Sequence, residues 1–185
     1  MSWDRILRSC FIKQADVLQG MYFFEDDYDL ESLRRNFDFY ESRTVHESSL
    51  SPCVHSILAA KLNDGERAYE FYLRTSRLDL DDYNNDTEDG LHITSMAGTW
   101  MSIVEGFAGM RVRDGKLSFS PFLPEQWSSF SFIIGFRGIQ LRIKVKNDEM
   151  TIVTDAKELL DINIFNKSYA VSGGETVISY KGSLV

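Results

Sequence analysis

Two short segments of the chain place a histidine shortly before several hydroxyl side chains at the entry to an apolar stretch. They are His46-Glu47-Ser48-Ser49-Leu50-Ser51 and His92-Ile93-Thr94-Ser95-Met96-Ala97. Apolar residues follow both segments at helical spacing, which predicts that each segment leads into a helix. A helix N-terminus presents free backbone N–H groups and the positive end of the helix dipole, and both attract anions. The two segments therefore indicate an anion site.

The same residues also fit an ordinary structural role. Thr94 or Ser95 is a natural N-cap for the helix that follows, and hydroxyl caps are commoner than anion sites. The residues around the two segments do not match, so they are weak support for an internal repeat. If both helices are inner helices separated by one outer helix, however, they run parallel and their N-termini open at the same end. Two hydroxyl-rich helix N-termini, each at the positive end of its helix dipole, would then face one pocket.

The helices that must position these groups alternate between apolar and amphipathic. The expected helices cover residues 14–25, 29–41, 51–62 and 66–77, and a fifth runs from Thr94 or Ser95 to about Phe107. The first, third and fifth are mostly apolar, whereas the second and fourth carry one charged face. Such alternation is typical of the inner and outer members of a double-layered helical ring.

Beyond Gly115 the apolar residues recur with a period of two, which predicts half-buried antiparallel strands. The clearest run alternates Ile139, Leu141, Ile143 and Val145 with polar residues. Asn147-Asp148 and Gly173-Gly174 predict hairpin turns. The sequence therefore predicts an α+β protein, with a helical part in residues 1–113 and a β part in residues 114–185.

Composition and charge exclude several classes of protein. Residues 1–113 carry the whole net charge of −8, which repels phosphate backbones and argues against a nucleic-acid partner. No apolar run approaches the roughly 20 residues of a membrane span, and the N-terminus has no signal-peptide pattern, so we expect a cytoplasmic protein without a membrane partner. Cys10 and Cys53 show no CxxC spacing and no accompanying histidine cluster, so neither a metal site nor a disulfide is supported.

Several motifs resemble those of the disaccharide phosphorylases of glycoside hydrolase family 65, which act on maltose, kojibiose or trehalose. The motifs are Lys13-Gln14-Ala15-Asp16-Val17, the His46–Ser51 segment, Leu78-Asp79-Leu80-Asp81-Asp82-Tyr83-Asn84, and Thr87-Glu88-Asp89-Gly90-Leu91-His92-Ile93-Thr94-Ser95-Met96-Ala97-Gly98-Thr99-Trp100. The resemblance runs over nearly all of residues 3–113. It implies that the helices are the last helices of an (α/α)6 catalytic barrel. It also implies that the strands form a small C-terminal antiparallel β-sandwich.

The chemistry of this family gives each candidate residue an expected role. Phosphate replaces water as the nucleophile in an inverting displacement at the anomeric carbon, while a glutamic acid protonates the departing sugar oxygen. Phosphate is thus a substrate, and no cofactor is expected. The resemblance implies that phosphate is bound by Ser48, Ser49, His92, Thr94 and Ser95, and that sugar hydroxyls are bound by Lys13, Gln14 and Glu47. By composition alone, Lys13 is as well explained as a solvated surface lysine, and Glu47 as a capping carboxylate.

The general acid of the family lies upstream of the segment that matches Lys13, so we expect this chain not to contain it. Neither Glu47 nor Glu88 is expected to take its place. The expected protein is therefore a C-terminal portion of a phosphorylase, with maltose as the expected disaccharide, and it is inactive without the N-terminal part of the same enzyme. A homodimer is left open. The pocket alone is expected to bind phosphate weakly.

A second hypothesis treats the chain as a non-catalytic carbohydrate-binding or interaction module. The residues that could stack on sugars are Phe122, Trp127, Phe130, Phe132 and Phe136. Three of these phenylalanines alternate as the core face of a strand would, so burial explains them better than binding does.

Overall fold

The computed structural model describes residues 3–6, 8–46 and 48–180, and in this part of the chain helices are followed by strands. The chain divides into two compact units, Met1–Gly106 and Phe107–Val185. The helices are α1 (Trp3–Ile6), α2 (Asp16–Phe23), α3 (Leu30–Glu41), α4 (Ser51–Lys61), α5 (Gly65–Ser76) and α6 (Ile93–Met101). The protein is therefore α+β, as the sequence predicts. The division lies earlier in the chain than the expected boundary after residue 113.

Local sequence signals account for most helix boundaries. The Asp29 carboxylate accepts a hydrogen bond from the Ser32 amide and caps α3, as expected. Helix α4 begins at Ser51 with Pro52 in its first turn, where the missing N–H costs nothing. Helix α2 is shorter than expected and ends at Phe23, and a 3-10 turn follows at Glu25–Asp27. Helix α6 continues into a π-helical segment at Ser102–Phe107.

Helices α4 and α6 run parallel and lie unusually close together. A Cβ atom added to Gly98 would come 2.9 Å from the Cβ of Cys53, and one added to Gly106 would come 3.5 Å from the Cα of Ile57. Residue numbers therefore rise together along both helices, which is the parallel arrangement expected. Only glycine at position 98 permits this approach, because any Cβ there would collide with α4.

Helix α6 turns small residues toward the interior and large apolar residues outward. Ser95, Gly98 and Ser102 are buried. Ile93, Met96 and Trp100, at helical spacing, are 68%, 47% and 46% exposed. A surface helix normally buries its large apolar side chains, so the exposed stripe of α6 lacks the cover that such a surface usually has.

The described residues of the second unit, 107–180, contain two four-stranded sheets. The first has the order β1 (Arg111–Arg113), β2 (Lys116–Phe119), β6 (Leu160–Ile164), β7 (Lys167–Val171), and the second has the order β3 (Phe130–Phe136), β4 (Ile139–Lys146), β5 (Glu149–Thr154), β8 (Gly174–Ser179). Alternate residues of the second sheet, such as Leu141, Ile143 and Ile152, are buried, which gives this sheet an apolar face. The predicted hairpin at Asn147-Asp148 joins β4 to β5 and is confirmed.

Two expectations for the β part are corrected. Of the six strand pairings among the described residues, five are antiparallel, but β2 and β6 pair in parallel because the chain builds β3 to β5 between them and then returns. Gly173-Gly174 is not a hairpin, because it leads from β7 in one sheet to β8 in the other. A Cβ on Gly173 would lie 2.9 Å from the Ala156 carbonyl oxygen, so close packing, and not a hairpin, requires glycine there.

Candidate functional site

The segment that carries Lys13 and Gln14 lies beside the segment that leads into α4. Ile12 and Thr44 form an isolated parallel bridge. The Ile12 amide donates to the Arg43 carbonyl at 3.0 Å, and the Val45 amide donates to the Ile12 carbonyl at 2.9 Å. The expected sugar-binding and phosphate-binding segments are therefore neighbours in space.

The turn at Ser48 and Ser49 forms the entry to α4. The Ser48 hydroxyl accepts a hydrogen bond from the Leu50 amide at 3.3 Å, and the Ser51 amide donates to the Ser48 carbonyl at 3.2 Å. Ser48 thus stabilises its own turn. Ser49 is half-buried and directs its polar groups toward α6.

The N-terminus of α6 differs from the sequence prediction. His92 is the N-cap, and its carbonyl accepts from the amides of Ser95 and Met96 at 2.9 and 3.2 Å. Thr94 and Ser95 lie inside the first turn, so the expectation that one of them is the cap was wrong. The physical reason is a distant partner: the Asp79 carboxylate accepts from the His92 amide at 2.9 Å and fixes the start of the helix there.

The two N-termini meet through hydroxyl groups. The Oγ of Ser49 lies 3.3 Å from the Oγ1 of Thr94, and the Ser95 hydroxyl donates to the Ser49 carbonyl at 3.1 Å. We call Ser49, Thr94 and Ser95 the hydroxyl junction. The expected convergence of the two helix N-termini is confirmed. Thr94 is exposed whereas Ser95 is buried, so the junction has one side open to solvent.

His92 is close to the hydroxyl junction in the sequence, but its ring contacts acidic side chains. Its Nδ1 donates to Asp79 at 2.6 Å, and its Nε2 lies 3.5 Å from Asp86. The hydrogen bond to Asp79 raises the pKa of His92 above its ordinary value; burial opposes this rise, and the nearby Asp86 charge adds a smaller contribution to it. The same bond lowers the pKa of Asp79. The imidazole is therefore biased toward its cationic form.

The structure describes two of the three expected sugar-binding residues, and these two differ in exposure. Lys13 is exposed. Gln14 is half-buried, and its side-chain amide donates to the Asp16 carboxylate at 3.0 Å. Glu47 lies outside the described residues. Their roles toward a sugar stay predictions.

Sequence reasoning missed a buried polar cluster beneath the first turn of α4. It consists of His46, Ser51 and His55, with the Arg74 guanidinium donating to the His46 carbonyl at 2.8 Å. The sequence feature that could have indicated this cluster is His55, an ionisable residue within the mostly apolar run Pro52-Cys53-Val54-His55-Ser56-Ile57.

The aromatic side chains of the second unit pack against one another. Trp127 meets the ring of Phe107 edge-on at 5.0 Å and that of Phe130 at 6.0 Å, and Phe130 stacks on Phe132. Phe130 and Phe132 point to the same face of β3 as the buried Ile134. This arrangement favours a core role for these side chains over a sugar-stacking platform.

Within residues 3–6, 8–46 and 48–180, no cluster of three or more histidine, cysteine, aspartate or glutamate side chains is arranged to hold a metal ion. None of the helices in this part of the chain has both the length and the apolar content that crossing a bilayer requires.

Comparison with known proteins gives concordant matches over both units. Maltose phosphorylase of Bacillus subtilis is 54% identical over 172 residues, a match that covers 93% of this chain and 23% of the relative. Alpha,alpha-trehalose phosphorylase of Thermoanaerobacter brockii is 39% identical over 170 residues, covering 92% and 22%. A solved structure named "Putative kojibiose phosphorylase from human microbiome" matches with a TM-score of 0.89 and 40% identity, covering 96% of this chain and 26% of that chain.

The chain thus spans about a quarter of the length of these relatives. Residues 1–101 match the family model described as the glycosyl hydrolase family 65 central catalytic domain, and residues 110–171 match the model of the family's C-terminal domain. The first match alone covers more than half of the chain, and this chain therefore belongs to glycosyl hydrolase family 65.

Proposed function

We propose that this chain supplies the phosphate-binding and sugar-binding part of an inverting disaccharide phosphorylase that converts maltose and phosphate to β-glucose 1-phosphate and glucose. The observation that carries the proposal is the hydroxyl junction, where two helix N-termini meet at Ser49, Thr94 and Ser95. The choice of maltose is supported by the identity of 54% to a maltose phosphorylase, against 39% and 35% to a trehalose and a kojibiose phosphorylase.

The junction has the donors that an attacking phosphate needs. Hydroxyls, the positive ends of two helix dipoles and a cationic imidazole all stabilise an anion. Thr94 and Ser49 now face each other at 3.3 Å, and a phosphate oxygen would take the place of this contact. We assign the Nε2 of His92 to the phosphate, because its contact with Asp86 at 3.5 Å is longer than the contact of Nδ1 with Asp79 at 2.6 Å.

The reaction requires a second group that we do not assign to these residues. A phosphate oxygen bonds to the anomeric carbon as the glycosidic C–O bond breaks, and the departing sugar oxygen must receive a proton from a general acid on the opposite face. We propose that this acid belongs to a part of the catalytic domain outside these 185 residues. The exposed stripe Ile93, Met96 and Trp100 supports this view, because a larger catalytic domain would cover it.

The first experiment is an assay of glucose 1-phosphate release from maltose and phosphate, with kojibiose and trehalose as comparison substrates. We expect no turnover by the 185-residue chain alone. Clear turnover would refute the assignment of the acid to another part of the enzyme.

The second experiment measures phosphate binding by the same chain. Each charge-assisted hydrogen bond contributes roughly 1.5–3 kcal/mol in a partly buried site, whereas solvent and salt screen an open pocket, so we expect weak but measurable binding. Ser95→Ala and His92→Ala should weaken it. Ser56→Ala is the matched control, because it removes a buried hydroxyl of α4 that bonds to Ala68 away from the junction. Cys53→Ala should also have little effect. Equal losses in all four variants would contradict the proposed site.

A further inference from the structure

A pair of buried histidines lies beneath the first turn of α4, and the proposed reaction does not use it. His55 is fully buried and His46 is 9% exposed. Their rings meet edge-on at 4.7 Å, and both pack against the ring of Phe71. Among the described residues, the Nε2 atoms of both rings lack a hydrogen-bond partner. A buried polar atom without a partner costs about 1–3 kcal/mol, so stability alone does not explain the pair.

The contacts of the pair assign one tautomer to each ring. The Nδ1 of His55 lies 2.9 Å from the Ser51 carbonyl oxygen, which can only accept, so His55 carries its proton on Nδ1. The Nδ1 of His46 lies 3.5 Å from the Ser51 hydroxyl, and its Nε2 lies 3.9 Å from the Glu41 carboxylate. A carboxylate favours a proton on the nitrogen that faces it, so His46 carries its proton on Nε2 and accepts from Ser51 at Nδ1.

These contacts form a directed chain of hydrogen bonds. The chain connects His46, which precedes the Ser48–Ser49 turn, to Ser51, which follows it. The Ser51 carbonyl accepts the hydrogen bond from the Nδ1–H of His55, and the Ser51 amide donates to the Ser48 carbonyl at 3.2 Å. His46 precedes the turn with a backbone φ of 59°, and Arg74 holds its carbonyl at 2.8 Å. Left-handed backbone at a residue other than glycine persists only where its surroundings enforce it.

The order Ser51, His46, Glu41 also resembles a hydrolytic triad, but the geometry excludes that role. Ser51 is fully buried within the first turn of α4, where no substrate carbon can reach its hydroxyl. The distance from the Ser51 hydroxyl to the Nδ1 of His46 is 3.5 Å, and the distance from the Nε2 of His46 to the Glu41 carboxylate is 3.9 Å. Both distances are longer than the hydrogen bonds of a working nucleophile and base.

We propose that His46 and Ser51 are positioning residues for the anion site: the hydrogen bonds that link His55 to Ser51 and Ser51 to His46 hold the Ser48–Ser49 turn against the N-terminus of α6. This inference rests on the proposed function. Burial, with smaller contributions from the neighbouring histidine and Arg74, lowers the pKa of His46 to about 3, and burial lowers that of His55 to about 4. Both rings therefore stay neutral at pH 7, as the directed chain requires.

Nitrogen-15 NMR of the full chain tests the directed chain without any ligand. We expect His46 in its Nε2–H form and His55 in its Nδ1–H form at pH 7, and we expect Ser51→Ala to change the Nδ1 signal of His46. A cationic ring, the same tautomer on both residues, or an unchanged His46 signal in Ser51→Ala would overturn the assignment.

Phosphate titration of the same chain tests the positioning role. Ser51→Ala should weaken phosphate binding about three- to tenfold, the effect of about one hydrogen bond, although Ser51 cannot touch phosphate. His46→Leu should do the same. His46→Asn should restore most of the affinity, because asparagine tolerates the left-handed backbone and keeps an acceptor near the Nδ1 position. Ser56→Ala, which removes an equally buried hydroxyl from the same helix, should leave the affinity unchanged.

The outcomes separate this inference from the proposed function. Phosphate binding that is equal in wild type, Ser51→Ala and Ser56→Ala would refute the positioning role alone. Absence of phosphate binding by the wild-type chain would refute the anion site and the positioning role together, whatever tautomers the histidines adopt. Equal weakening by Ser51→Ala and Ser56→Ala would reduce the role of Ser51 to general stability and would also overturn the proposal.

Discussion

The N-termini of α4 and α6 are built from similar residues, yet their histidines occupy opposite electrostatic surroundings. His46 lies among His55 and Phe71, with its nearest carboxylate 3.9 Å away, and burial lowers its pKa to about 3. His92 stands between two carboxylates, and the bond to Asp79 raises its pKa. One imidazole is kept neutral and the other is biased toward a cation.

This contrast assigns different tasks to the two segments. A neutral, buried ring can direct hydrogen bonds but gives no net attraction for an anion, whereas a cationic ring near the surface gives that attraction. In the proposed anion site, the α4 segment would position the Ser48–Ser49 turn and the α6 segment would offer the His92 ring. The two segments meet at the hydroxyl junction between Ser49, Thr94 and Ser95.

The largest expected effect is the pH dependence of stability. His46 and His55 have folded-state pKa values of about 3 and about 4, below the ordinary value of 6.5 that applies after unfolding. The unfolded chain therefore binds more protons below pH 6.5, and stability falls as the pH falls. Each histidine contributes up to about 1.4 kcal/mol per pH unit, so the pair should lower the free energy of unfolding by up to about 3 kcal/mol between pH 6.5 and 5.

Denaturant unfolding at several pH values measures this dependence, and two variants separate the histidines. His46→Asn should remove about half of the slope between pH 6.5 and 5. His92→Gln should leave that slope unchanged, because a raised folded-state pKa contributes stability that is lost only as the pH rises above 6.5. An equal change of slope in both variants would remove the distinction between the two N-termini.

Much of the fold follows from local signals in the sequence. Asp29 caps α3, Ser51 and Pro52 begin α4, and the alternation from Ile139 to Val145 gives β4, because each signal acts within a few residues of the structure that it produces. The alternation of apolar and amphipathic helices added the expectation that two helix N-termini converge.

The remaining features depend on partners that are distant in the chain. The start of α6 was misplaced because the Asp79 side chain, and not a hydroxyl within the segment, holds the His92 amide. The parallel pairing of β2 with β6 and the crossing at Gly173-Gly174 depend on the order of strands in the sheets. The burial of His46 depends on Phe71 and His55, and a sequence pattern around His46 does not contain either partner.

A smaller effect is expected where the two helices approach each other. Gly98→Ala would place a Cβ 2.9 Å from the Cβ of Cys53 and 3.2 Å from a methyl group of Thr75, so the helices must separate. Overpacking of this kind typically costs about 1–3 kcal/mol. Thermal unfolding should therefore show a lower midpoint, and weaker phosphate binding should accompany it if the close approach sets the hydroxyl junction.

Gly20→Ala is the matched control, because Gly20 lies within α2 and a Cβ there meets no atom within 4 Å. Alanine is favoured over glycine in a helix interior by about 0.5–1 kcal/mol, so this variant should be more stable than wild type. The two substitutions should thus have opposite signs. Stabilisation by Gly98→Ala would contradict the close parallel packing of α4 and α6.

The smallest expected effect is a change in a single titration. Asp79→Asn keeps an acceptor for the His92 amide but removes the charge that stabilises the imidazolium, so the pKa of His92 should fall toward its ordinary value. NMR of the ring protons reads this directly, because the chain has only three histidines and the buried pair should not titrate above pH 5. Glu88→Gln is the control, since it removes an exposed charge from the same acidic loop. If both variants shift His92 equally, the general field of the loop, and not the bond to Asp79, biases the ring toward the cation.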